Sequence, residues 1–533
     1  MRYRPPIRSD GYGYYAYLPA VFIDHDLTMK TPLAYRWTVV GKHPLPYNWT
    51  GIERYERTGR MLDKYTSGTA LLQAPFFVVA NAVAQLLRLP PYSAPYQFAS
   101  VLSALSFFAV GTYLLVRLLM TRFSTLISVI SAAAVVFGTN VFHFVTFAGS
   151  FSHVYSFFLV TVLLTIAFRY RVRDRTSSAT NLCVAMGSIL GLVALTRVPN
   201  IIVAAIPLAL VSEHYYKTRI SGILVREILA GIAAFLVVFS LQLAYWHAAT
   251  GHFLVNSYQR EGFNWLRPQV LNFLFSLKKG LFVWAPVLLI AVLGFPCFVK
   301  FDKVLGIAFL AVLSLEVYVC SSWWSWWFGG PFGSRPFVDM MPLIAFPLAY
   351  GFEWLGGRVW RFAPVSIIVL SILLNLFLML SYWNELLPSN VTSAGDLLRL
   401  PARWKTHALL LPQVLPRSRA LDEPYALGTP FIAAVGPPAG MWVEGFEPTP
   451  SYDHDLRLEM TFASNGALLT ARHPRQRALV QVNGVSIGVI PVWWRQFRSD
   501  ARHPSPFAPE QDNRSNNLLA ARCRCAEKLG HQR

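Results

Sequence analysis

A few ionisable side chains stand out in a chain that is otherwise strongly apolar. Acidic residues occur near the amino end as Asp10, within Ser9-Asp10-Gly11-Tyr12-Gly13-Tyr14-Tyr15, and as Asp24 and Asp26 on either side of His25. Basic residues follow. Lys64 precedes Tyr65-Thr66-Ser67-Gly68, Arg197 lies in Thr196-Arg197-Val198-Pro199-Asn200, and Arg335 closes the crowded run Gly329-Gly330-Pro331-Phe332-Gly333-Ser334. A carboxylate within hydrogen-bond reach of a hydroxyl can take its proton. Arginine and lysine can hold a phosphate and stabilise charge that develops on it. These types together suit transfer of a group from a phosphate-bearing donor to a hydroxyl. His153, Arg260 and Glu261 are further candidates for substrate binding. Asp24 and Asp26 could act as a base or as metal ligands, although such a trio around a histidine is more often a solvated turn.

The elements that must position these residues are membrane helices. Only 14% of the 533 residues are charged and 54% are hydrophobic, against about a quarter charged in soluble proteins. Apolar runs long enough to cross a bilayer recur through the first 380 or so residues. By length and hydropathy they read as Tyr96–Leu119, Thr125–Phe147, Phe151–Phe168, Leu182–Leu210, Ile223–Trp246, Leu281–Val299, Val304–Cys320, Val338–Leu355 and Pro364–Tyr382. Leu182–Leu210 is too long for one span and is broken by Arg197-Val198-Pro199, because proline removes a helix hydrogen bond and disfavours helix at the residue before it. Counted as a hairpin, it brings the total to about ten crossings. Gly68–Leu87 is also apolar but is interrupted by Gln73, Pro75, Asn81 and Gln85, which suits a helix lying at the interface.

The net charge of +20 would suggest nucleic acid in a soluble protein. Here the basic residues cluster in short connections, the distribution that orients membrane proteins, and nucleic acid is not expected as a partner. Arg117 with Arg122, Arg169 to Arg175, Lys217 to Arg226, Lys300 with Lys303, and Arg358 with Arg361 all fall on one face if Leu182–Leu210 turns at Arg197. Residues 1–67, 247–279, 323–336 and everything after 383 then lie on the other, external face. That orientation calls for a further span ahead of residue 10. The five cysteines, Cys183, Cys297, Cys320, Cys523 and Cys525, show neither zinc spacing nor a disulfide framework. No P-loop, dinucleotide fingerprint or nucleophile elbow occurs.

The expected organisation is a first external loop over 1–67, an all-α polytopic membrane domain over 68–383, an external region over 384–497 and a disordered tail over 498–533. In the external region, Met441–Phe446, Leu456–Phe462, Ala467–Ala471, Ala478–Val482 and Ser486–Pro491 read as short strands of a small β-sandwich. Asn483-Gly484 is a hairpin turn signal between two of them.

Four motifs, in this order, resemble the GT-C superfamily of membrane glycosyltransferases, in the branch of protein O-mannosyltransferases and lipid A aminoarabinose transferases. Asp10 with the Tyr/Ala pattern after it is similar to that family's first-loop carboxylate. Lys64 is similar to the start of its Lys–Pro–Pro-like motif, with Thr66 and Ser67 where prolines are usual. Thr196-Arg197-Val198-Pro199 resembles its Thr–Lys/Arg–x–Pro hairpin, and the run ending at Arg335 resembles an external loop of its bacterial members. The resemblance covers roughly residues 10–380 and implies a GT-C-like fold. It also implies a sugar donor on a polyprenyl phosphate, a glycan, lipid or protein acceptor, and a plasma-membrane location with the site facing the periplasm or exterior. Asp10 becomes the implied base, and Lys64, Arg197 and Arg335 the implied ligands of the donor phosphate. No cofactor beyond the lipid-linked donor is implied, and no metal requirement follows. Trp323, Trp324, Trp326 and Trp327 could stack on a sugar or an isoprenoid, or form an interfacial aromatic belt.

Two other classes fit the same chain. A transporter or flippase of lipid-linked sugars would place ionisable residues near the bilayer midplane, often in repeated halves, and no repeat is visible. A non-catalytic membrane scaffold would tolerate loss of Asp10.

Overall fold

The computed structural model describes residues 6–29, 51–89, 93–173, 179–218, 221–259, 261–356, 363–384, 386–388, 392–405, 467–470, 477–482 and 485–491. The chain divides into two units, residues 1–423 with 437–444, and residues 424–436 with 445–533.

The first unit is helical. A short helix α1 (Asp10–Phe22) is followed by a hairpin of β1 (Ile52–Arg54) and β2 (Met61–Asp63), with Glu53 opposite Leu62. Then come α2 (Gly68–Leu86), α3 (Ala94–Leu119), α4 (Thr125–Phe137), α5 (Val141–Thr146), α6 (His153–Val172) and α7 (Thr180–Thr196). A 3-10 turn over Val198–Ala204 leads into α8 (Ala205–Thr218) and α9 (Ser221–Thr250). After a long connection come α10 (Val270–Phe275), α11 (Leu281–Trp284), α12 (Leu288–Phe301) and α13 (Lys303–Ser322). A second 3-10 turn, Arg335–Met340, opens α14 (Met341–Gly356), which α15 (Ala363–Trp383) and α16 (Ala394–Leu398) follow.

Seven segments among the described residues are long and apolar enough to cross a membrane, namely α2, α3, α6, Val198–Lys217, α9, α13 and the Ser366–Trp383 part of α15. Three shorter apolar helices, α4, α7 and α12, lie beside them. The run Thr125–Phe147, read as one span, is broken after Phe137, where Gly138 caps α4 on the Ala134 carbonyl. Leu281–Val299 is likewise interrupted at Ala285 and Pro286, and Val338–Leu355 begins as a 3-10 turn.

Glycines set the closest helix contacts, as in other membrane bundles. A Cβ on Gly187 of α7 would lie 2.0 Å from the Gly231 carbonyl of α9, and one on Gly294 of α12 would lie 1.8 Å from the Pro347 carbonyl of α14.

Ion pairs mark one end of the bundle. Arg171, at the end of α6, bonds Glu213 of α8 at 2.9 Å and also pairs with Asp302 between α12 and α13. Arg122, after α3, reaches Glu353 near the end of α14 at 3.4 Å. Arg173 reaches Glu227 near the start of α9 at 3.3 Å. Lys217 also meets Glu213, at 2.6 Å, and Lys300 and Lys303 flank Asp302, so four of the five basic clusters have members at a common end. His153 starts the same helix that Arg171 finishes, so it lies about 27 Å away at 1.5 Å per residue.

Helix α2 begins at the His153 end, where a Cβ on Gly68 would lie 2.4 Å from Leu195. Its interrupting polar residues bond the first turns of α3: Tyr96 donates to Asn81 at 2.7 Å and Ser100 to Gln73 at 3.1 Å.

In the second unit the described residues form a three-stranded antiparallel sheet of β3 (Ala467–Thr470), β4 (Arg477–Val482) and β5 (Val485–Pro491). Val482 stands opposite Val485, with Asn483-Gly484 between them. The expected strands Met441–Phe446 and Leu456–Phe462 and the tail 498–533 lie outside the described residues. A three-stranded sheet is observed; a second sheet that would make a sandwich is not among the described residues.

Candidate active site

Asp10 opens α1, where the exposed amide ends of a helix favour a negative charge. The helix is packed on nearly all sides from Gly11 to Ala20. Gly11 permits that approach, since a Cβ there would overlap the Ser150 Oγ at 1.9 Å. Arg335, first residue of the second 3-10 turn, donates from Nη1 to Asp10 Oδ2 at 2.6 Å, and the two side chains are 20% and 22% exposed. Burial pushes the Asp10 carboxyl up. Arg335 and Lys64 more than offset that, so the group stays below the usual carboxylate range and is ionised at neutral pH.

The β2–α2 turn brings Lys64 and Tyr65 to this pair. The Asp63 side chain accepts the Tyr65 N–H at 2.9 Å, and Tyr17 donates to the Tyr65 carbonyl at 2.7 Å. The Tyr65 ring lies 4.4 Å from Tyr14 of α1, and Tyr65 is among the groups that hold the Asp10 carboxyl down. Lys64 Nζ meets Glu261 Oε1 at 2.8 Å and sits 5.4 Å above the rings of both Tyr65 and Tyr258. Ser257 donates to the Lys64 carbonyl at 2.8 Å, which ties the 251–280 connection to the same turn.

A second ionic group lies beside the first. Arg197 occupies the extended residue between α7 and its 3-10 turn (φ −154°, ψ 113°). Its Nη1 donates to Asp339 Oδ2 at 2.9 Å. His153 Nδ1 is 2.8 Å from the other oxygen of Asp339, and Asn200 donates to Oδ2 at 2.7 Å. Asp339 is fully buried, and three partners satisfy it, as a buried charge requires. Arg197 and Arg335 are near enough to repel each other, and Tyr14 of α1 feels both Asp10 and Arg197.

The arrangement is therefore one continuous polar cluster at one end of the bundle, holding Lys64, Arg197 and Arg335 against Glu261, Asp339 and Asp10. The three expected phosphate ligands and the expected base come together, although Asp10 and Arg335 are 325 positions apart in sequence. His153 joins through Asp339, and Glu261 through Lys64. Asp24 and Asp26 do not join. They lie beyond the far end of α1, about 20 Å from Asp10, where Asp26 accepts from the Thr28 N–H and hydroxyl at 2.8 and 2.5 Å in a local turn. Arg260 lies outside the described residues. Among the described residues no three His, Cys, Asp or Glu side chains converge as a metal ligand set.

The tryptophans take separate roles. Trp323 packs 4.7 Å from Phe263 and 5.6 Å from Tyr258, and Trp327 lies under Lys278 at 3.2 Å. Trp324 is half exposed, and its indole N–H is 3.4 Å from Glu261. Cys183, Cys297 and Cys320 are free thiols.

Asp339, Asn200, Tyr14 and Tyr65 are absent from the sequence-based candidates. One signal could have marked Asp339: a lone acid at the mouth of an apolar run is costly unless it has a partner. Comparison with known protein families and with curated proteins gives no match.

Proposed function

We propose that the protein is a membrane glycosyltransferase that moves a sugar from a polyprenyl-phosphate donor to an acceptor hydroxyl at the external face of a plasma membrane. The observation that carries this reading is the Asp10–Arg335 pair at 2.6 Å, set among two further cations at one end of an apolar bundle. A lipid-borne phosphate arriving laterally meets basic groups at that level without entering the hydrocarbon.

In the proposed reaction the acceptor O–H gives its proton to the Asp10 carboxylate. Its oxygen bonds to the anomeric carbon while the bond from that carbon to the phosphate oxygen breaks. The electron pair leaves with the phosphate, where Arg335, Arg197 and Lys64 offset the growing charge. All three cations are paired with carboxylates, so the donor phosphate must exchange for those partners. Drawing Arg335 away from Asp10 removes a contact that keeps the carboxyl weakly basic. Donor binding then strengthens the base at the moment the acceptor needs it.

The distribution of charge supports transfer over transport. Among the described helices the ionisable residues lie towards the two ends, and Glu316, six residues before the end of α13, sits towards the cluster's end. A transporter would place such groups near mid-depth.

The test uses membranes containing the full chain and a radiolabelled polyprenyl-phosphate sugar. Acceptor-dependent release of free polyprenyl phosphate, abolished by Asp10→Asn, is the expected result. Movement of intact donor between leaflets, or transfer unchanged in Asp10→Asn, overturns the reading.

A further inference from the structure

The segment that carries Arg335 has no ladder of its own. Gly329 and Gly333 adopt φ of +74° and +64°, a backbone state that favours glycine. Among the described residues, no backbone–backbone hydrogen bond holds positions 329–334. Three side chains from three separate parts of the chain hold it instead, each on a successive carbonyl. Tyr382, at the end of α15, donates to Gly330 O at 2.9 Å. Lys279, ahead of α11, donates from Nζ to Pro331 O at 2.7 Å. Asn140, between α4 and α5, donates from Nδ2 to Phe332 O at 3.2 Å. Gly333 then packs on Asn140, where a Cβ would come to 3.3 Å from Nδ2.

Lys279 is the least expected of the three. The side chain is fully buried, with Trp284 and Tyr382 rings 5.2 and 5.5 Å from Nζ. Among the described residues no carboxylate partners it, and the charged groups that act on it are Arg335 and its neighbour Lys278, both of its own sign. Burying a lysine without a counter-ion is costly, and a methionine would fill the same space. The cost is explained if the amine has a directed task, and among the described residues its one hydrogen bond is to Pro331 O.

We infer that Lys279, Tyr382 and Asn140 are positioning residues that clamp three consecutive carbonyls and thereby hold Arg335 against Asp10. The clamp deepens the proposed function only in that Arg335 is there a phosphate ligand; the geometric claim stands apart from it. Burial, followed by Arg335 and Lys278, brings the Lys279 amine down to about 7. Below that pH the ammonium makes a charge-assisted bond to Pro331 O, roughly twice as strong as a neutral one. Above it the clamp is weaker. Tyr382 is the titratable group facing Lys279 from α15.

The test reads Arg335 directly. The full chain in lipid nanodiscs is treated with phenylglyoxal, and adducts at Arg335 and Arg171 are quantified by mass spectrometry. Lys279→Met and Tyr382→Phe should each raise the Arg335 to Arg171 labelling ratio about 2- to 10-fold, the size of one hydrogen bond. In the unmodified protein, relative to Lys279→Met at each pH, that ratio should rise between about pH 6 and about pH 8. A merely structural lysine would give no such profile. Should Lys279→Met unfold and raise both arginines together, Tyr382→Phe, which loses one oxygen, decides the matter. An unchanged ratio in that variant overturns the clamp. A raised ratio in a protein that shows no sugar transfer leaves the clamp standing and removes only the proposed function.

Discussion

Arg197 and Asp339 meet at 2.9 Å across 142 positions of sequence, the first at the turn of a helical hairpin and the second at the mouth of a later helix. Asp339 is buried and shared with His153 and Asn200. Removing one member strands the other charge in a packed site. Asp339→Leu should therefore destabilise the protein by about 3–5 kcal/mol, whereas Arg197→Met combined with Asp339→Leu should recover most of that loss. Urea denaturation in mild detergent measures both. Transfer activity should fail in the double variant despite its stability, and its survival would remove Arg197 from the phosphate site.

Asp10 is ionised because Arg335 and Lys64 outweigh burial. Its pKa in the folded protein is lowered, so its favourable interactions are present above the unfolded value of 3.8 and fade as pH falls through the folded value. Arg335→Met removes the larger of the two opposing charges and should move the acid limb of the pH–rate profile to higher pH. Asp10→Asn should lower the rate about 10²- to 10⁴-fold, the range for loss of a general base, and should also lower the melting temperature, because Arg335 loses its carboxylate partner. An acid limb that stays in place in Arg335→Met would mean that another group sets it.

Much of the architecture is legible in the sequence, because membrane insertion is read from local properties. Apolar length marks the helices, and basic clusters mark their common end, where Arg122, Arg171 and Arg173 find carboxylates. The hairpin at Arg197 is legible from its proline. Helix α1 is not. Its Tyr-rich sequence is packed from Gly11 to Ala20, so no polar face alternates with an apolar one to give the helical period. The candidate site is half legible: motif resemblance singles out Asp10, Lys64, Arg197 and Arg335, while their pairing depends on tertiary contact. Lys278 and Lys279 are adjacent in sequence, and only the fold separates them, Lys278 lying over Trp327 while Lys279 is buried.

The two ends of the bundle should face opposite sides of the membrane. In a cysteine-free background, Asn256→Cys in the 251–280 connection should react with a membrane-impermeant maleimide on intact cells. Ser124→Cys, exposed between α3 and α4, should react only after permeabilisation. Labelling of both from one side would contradict the antiparallel path through α3 and α9. Reversed labelling would keep the path but turn the site to the cytosol and remove the proposed function.

Lys64 and Glu261 offer a test of whether the resting ion pairs compete with substrate. Their 2.8 Å contact is part-exposed, at 14% and 28%, and such pairs contribute about 1 kcal/mol or less to stability. Neither Lys64→Met nor Glu261→Gln should shift the melting temperature much. Their effects on the donor should differ in sign. Lys64→Met loses a charge-assisted contact to the phosphate and should raise the donor KM about 10-fold or more. Glu261→Gln frees the ammonium from its competitor and should lower the donor KM, with kcat little changed. A rise in KM in both variants would show that the pair instead holds the 251–280 connection in place, and Lys64 would then leave the list of phosphate ligands.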